Sequence, residues 1–102
     1  MTVVRTAMLL AAAALLEAGG DALIRRGLHD RLFLVFGGLA LFAYGVVVNQ
    51  SGLPFGRTIG SYIAAFFIVS QVIGVLIFHD AIGWRTIAGG TLIIAGGCVL
   101  MM

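Results

Sequence analysis

Lysine is absent from this sequence, and cysteine, proline and tryptophan occur once each. Only 10% of its 102 residues are charged, six arginines against four acids. A soluble domain carries roughly a quarter of its residues as charges, so these few cannot cover a water-exposed surface. The solvent of this chain is therefore mostly lipid. One cysteine, Cys98, excludes an intramolecular disulfide, and no Cys/His cluster has the spacing of metal ligands. No metal, cofactor or enzymatic activity is expected. The pI of 9.3 rests on a net charge of only +2. Six arginines are too few for a nucleic-acid surface and read as loop and interface anchors.

What is present is apolar: 62% of the residues, with a mean hydropathy of +1.18. One membrane-spanning helix takes about 20 residues at about 1.5 Å rise per residue. Four of them with short turns use nearly the whole chain. A closed β-barrel needs short alternating strands instead. The expected fold is an all-α membrane protein, a single domain over 1–102, with spans at about 6–24, 32–48, 59–78 and 84–102. Arg5 precedes the first span, and Arg25 and Arg26 follow it. The run Met8 to Leu16 with Ala18, Gly19 and Gly20 also resembles a cleavable signal peptide. Intact mass separates the two readings. His29-Asp30-Arg31, the stretch from Asn49 to Pro54 and the stretch from His79 to Gly83 read as turns, Gly52 and Pro54 favouring a tight bend. Both histidines fall in turns, and Trp84 suits the headgroup level.

Arg25, Arg26, Arg31 and Arg85 lie at one end of the bundle, Arg5 and Arg57 at the other. That slight positive-inside bias places both termini outside. With so few charges, insertion in both directions is open, and opposite insertion lets two copies pair head to tail.

Glu17 lies about 16 Å along the first span, near the middle of a hydrocarbon core about 30 Å thick. A charge there costs on the order of 3 kcal/mol, so the group is neutral, paired or facing a wet cavity. Low dielectric favours the neutral form of a carboxyl. A group so placed takes up either a proton or a cation, and the two compete. The structural alternative is a protonated acid bonded to a neighbouring helix. Asp21 follows four positions later on the same face. It either titrates as a pair with Glu17 or pairs with Arg25.

Gly19 and Gly20 let another helix or a ligand come close. In the third span Gly60, Ser61, Ala64 and Ala65 make a small-residue stretch, and Tyr62 adds a hydroxyl and an aromatic face. Arg57 reads either as an interfacial anchor or as counter-ion to an acid. Ser70 and Gln71 are expected to bond between helices, and Tyr44, Phe66 and Phe67 either line a cavity or face lipid. In the fourth span Gly83, Gly90 and Gly97 recur every seven residues, with Gly89 and Gly96 in parallel. That stripe reads as an assembly surface.

These residues resemble the small multidrug resistance superfamily of four-helix transporters. Its first span reads Glu-x-x-Gly-x-x-Leu-x-basic, matched by Glu17, Gly20, Leu23 and Arg25. Its Pro-x-Gly is met by Pro54 and Gly56, and its fourth-span glycine stripe by the segment from Gly90 to Gly97. The family's third-span tryptophan is replaced by Tyr62, and Asp21 stands where the family has a small or hydroxyl residue. The run from Gly56-Arg57 to Tyr62 looks like the YnfA-like branch. The resemblance covers nearly the whole chain and implies an antiparallel homodimer with no cofactor.

In that frame the first three helices enclose a shared cavity and the fourth joins the subunits through Gly90, Gly97, Gly89 and Gly96. Glu17, Asp21, Tyr62, Ser61 and Arg57 form the substrate and proton site. The function implied is proton-coupled export of small organic cations across a bacterial inner membrane. The alternatives are a non-transporting membrane subunit, a lipid-carrier flippase component, or a scaffold in which Glu17 is merely packed.

Overall fold

A computed structural model describes residues 2–102 and contains four helices: α1 (Thr2–Gly27), α2 (Arg31–Val48), α3 (Phe55–Phe78) and α4 (Trp84–Met101). No strand occurs among the described residues. All four helices are long and apolar enough to cross a membrane. The protein is an all-α membrane protein. Two helices outrun the apolar spans expected of them. The α1 helix continues through Arg25 and Arg26, where cations in the last turn complement the partial negative charge of a helix C-terminus. The α3 helix begins directly after Pro54, whose carbonyl accepts the Thr58 N–H at 2.8 Å. Hydropathy marks the part in hydrocarbon; backbone hydrogen bonding carries the helix past it.

The turns are fixed by short-range polar contacts. Asp30, in extended conformation, caps α2 by accepting the Leu32 N–H at 3.0 Å. Between α2 and α3, Gly52 takes a φ of +80°, open to glycine at little cost. There the Thr58 hydroxyl donates to Leu53 O at 3.1 Å and lies 2.6 Å from the Ser51 hydroxyl. Thr58 is buried one turn before Tyr62, so this knot fixes where α3 starts. His79 ends α3 in the left-handed region at φ 58°, and the following Asp80 N–H returns to Gly74 O at 3.0 Å.

The main packing runs α2–α1–α3–α4, a row more than a cluster. The Cα envelope measures 41 × 34 × 20 Å, a slab. Between α1 and α2 the close approach is at Gly20 and Gly37. A Cβ on Gly37 would lie 2.9 Å from Gly20 O, and one on Gly20 3.1 Å from Gly37 O. Between α3 and α4 it is at Gly60, Gly90 and Gly97, which face Leu100, Phe67 and Ala64. Lipid supplies no hydrophobic drive between helices, so backbones must come close for dispersion contacts to accumulate. The buried core is accordingly small: Leu10, Ala13 and Ala14 of α1, Val48 of α2 and Tyr62 of α3. Three of these five residues lie on α1.

Candidate functional site

Glu17 sits about 15 Å by helical rise from the Gly27 end of α1, on the side that meets α3. Its Oε1 accepts the Tyr62 hydroxyl at 2.5 Å, a short hydrogen bond. Tyr62 is only 3% exposed, so water does not compete freely for this contact. The Tyr62 ring lies 5.2 Å from that of Tyr44 on α2 and 5.8 Å from that of Phe66 on its own helix. The Tyr62 hydroxyl thus sets the Glu17 carboxyl at the edge of an aromatic cluster drawn from α2 and α3. An aromatic face attracts cations through its quadrupole. A carboxylate beside such faces offers a positive ligand charge and π-surface together.

Asp21, one turn further along α1, is exposed and faces a different space. It lines a cleft of about 190 Å³ between α1 and α3 together with Arg25, Phe66, Ser70, Phe78 and Asp80. The Arg25 guanidinium carbon lies 5.2 Å from the centroid of the Phe78 ring, a cation–π contact across the cleft. Phe66 belongs to this cleft and stacks on Tyr62, so cleft and Glu17 cluster share a wall.

The other sequence candidates part company with Glu17. Ser61 is buried, but it lines a separate apolar cavity of about 150 Å³ with Leu10, Ala64, Ile94 and Gly97. Its Oγ has no hydrogen-bond partner. Arg57 does not meet an acid: its Nε donates to Leu100 O at 2.9 Å. That bond satisfies one of the carbonyls left open at the end of α4. Ser70, expected to bond between helices, donates instead to Phe67 O of its own helix at 2.9 Å.

The glycine stripe of α4 divides. Gly90 and Gly97 are buried against α3 within the chain, which removes them from the surface open to a second subunit. A Cβ on Gly89 or Gly96 would meet nothing within 4 Å. Of the four glycines expected at a subunit contact, these two remain available. Among the described residues no group of three or more His, Cys, Asp or Glu is placed to hold a metal ion.

Two residues of the cluster were not fixed by the sequence. Tyr44 and Phe66 were left between cavity and lipid, and the structure puts both rings around Tyr62. For Tyr44 a signal existed: between Leu32 and Val48 it is the only side chain with a polar group.

No family model matches the chain, and no solved structure matches it. Three bacterial relatives do. A UPF0060 membrane protein of Streptomyces coelicolor is 37% identical over 109 residues, covering 99% of this chain and 94% of the relative. One from Nocardia farcinica is 32% identical, covering 99% and 95%, and one from Streptomyces avermitilis 34%, covering 99% and 94%. With this identity sustained along nearly all of both chains, the protein belongs to the UPF0060 family of membrane proteins.

Proposed function

We propose that this protein is a proton-coupled exporter of small organic cations in a bacterial inner membrane, working as an antiparallel homodimer. One observation carries the reading: an acid at mid-membrane depth, held at 2.5 Å by the buried Tyr62 hydroxyl beside the Tyr44 and Phe66 rings. A carboxylate there binds a proton or a cation, not both, and this exclusion is the elementary requirement for exchange. The aromatic walls favour an organic cation over a hydrated metal ion. The likeness of Glu17, Gly20, Leu23 and Arg25 to the small multidrug resistance pattern supports the same reading. The slab shape does too, since a row of four helices encloses a cavity only when a second copy faces it. In such a pair the two copies exchange conformations, and the site opens to either side in turn.

The test is cation binding with proton release, measured on the purified protein in weakly buffered detergent with a panel of tetraalkylammonium and guanidinium ions. Protons compete with the cation, so affinity tightens as pH rises, by up to about tenfold per pH unit for each proton displaced. Glu17→Gln is expected to keep the helix content and abolish both signals. Normal cation transport by Glu17→Gln in vesicles would end the proposal. Cation binding without proton release would turn it toward a non-transporting subunit.

A further inference from the structure

Beside the α1–α3 seam, where α2 begins, runs a groove of about 310 Å³ lined by Gly19, Leu23, Arg26, Phe33, Ile73 and Ile77. Every lining side chain except Arg26 is apolar. A Cβ on Gly19 would meet nothing within 4 Å, so the groove floor is open there. From Gly19 to Arg26 the helix rises about 10 Å, against about 15 Å for one leaflet of hydrocarbon. The groove therefore reaches from headgroup level through most of one leaflet. Its mouth lies at the end of the bundle that carries Arg25, Arg26, Arg31 and Arg85. Arg25 is turned onto Phe78 in the neighbouring cleft, whereas Arg26 is exposed at the groove's mouth.

We propose that this groove binds an anionic phospholipid, its phosphate on Arg26 and one acyl chain along Gly19, Leu23, Ile73 and Ile77. Charge and shape point to the same occupant. An apolar trough that runs through most of one leaflet takes a chain but does not choose among lipids. The guanidinium at headgroup level supplies the choice, as basic pockets between membrane helices do for anionic headgroups. A role of Arg26 confined to the α1 C-terminal dipole would stabilise the helix and leave the groove indifferent to lipid charge. The site is separate from Glu17, whose carboxyl faces Tyr62, and does not depend on the transport proposal.

The experiment places the sole tryptophan in the groove, as Phe33→Trp with Trp84→Phe, in the full-length protein. The variant is reconstituted with phosphatidylglycerol or phosphatidylcholine carrying brominated acyl chains, and fluorescence quenching gives the relative binding constant. Phosphatidylglycerol is expected to be preferred about fivefold, the size of one arginine's attraction to an anionic headgroup. Arg26→Gln should bring the preference to about one. Arg5→Gln, which removes the same charge at the opposite end, should leave it intact. Equal quenching by the two lipids, a preference that survives Arg26→Gln, or its equal loss in Arg5→Gln overturns the proposal. So does an absence of quenching by either lipid, the result expected if a second copy covers the groove.

Discussion

Replacing Gly97 and Gly96 by alanine, one at a time, applies the same chemical change to adjacent residues of α4 that face different surroundings. A methyl on Gly97 would fall on the Ala64 side chain, closer than real carbon atoms approach, while one on Gly96 meets nothing within 4 Å. Overpacking of this kind costs about 1–3 kcal/mol. Glycine to alanine in a helix gains up to about 1 kcal/mol in backbone entropy, at either site. That gain cancels between the two variants, so their difference isolates packing. Gly97→Ala should therefore be less stable than Gly96→Ala by about 1–3 kcal/mol. Gly96→Ala itself should equal or slightly exceed the parent. Unfolding by dodecyl sulfate in mixed micelles, followed by circular dichroism on protein shown to be monomeric, measures the difference. Equal stabilities, or a loss confined to Gly96→Ala, would mean that α4 presents the other face to α3.

Tyr62→Phe keeps the ring against Tyr44 and Phe66 and removes the donor to Glu17; it should cost about 1–2 kcal/mol of stability. In a double-mutant cycle with Glu17→Leu, which removes the acceptor, the two changes should fall short of additivity by about 1 kcal/mol, and strict additivity would deny the contact. Ser61→Ala removes a buried hydroxyl that has no partner within the chain, so the isolated protein should be unharmed or gain about 1 kcal/mol. A large loss of stability would reveal a bond to Ser61 inside the monomer. Arg57→Ala should speed hydrogen exchange in the last turn of α4 and leave cation affinity unchanged. Lost affinity would return Arg57 to the binding site.

How far the sequence could be read depended on which property each feature rests on. The four helices follow from hydropathy, a sum over about 20 residues that survives local error. Glu17 was legible for a similar reason: its cost in lipid is large and independent of any partner. The contact partners were harder. Whether Ser61 or Tyr62 meets Glu17 turns on about 100° of helix rotation, and no count of polar residues resolves that angle. Arg57 shows the same limit from the other side. Its partner is a backbone carbonyl 43 positions away, and every residue type offers that acceptor equally. The division of the α4 glycines likewise follows from which of two neighbouring faces meets α3.

The order of the row has a mechanical consequence. The α1–α2 hairpin and the α3–α4 hairpin are each clasped by glycines at close approach, contacts that tolerate little sliding. The α1–α3 seam joins these two halves, and it carries the Glu17–Tyr62 bond, the Arg25–Phe78 contact and the Asp21 cleft. The same seam holds the buried core, Leu10, Ala13 and Ala14 of α1 with Tyr62 of α3 and Val48 of α2, so the bond to Glu17 is set beside the most buried side chains described. Drawing Glu17 away from Tyr62 would therefore be felt by side chains of three helices at once.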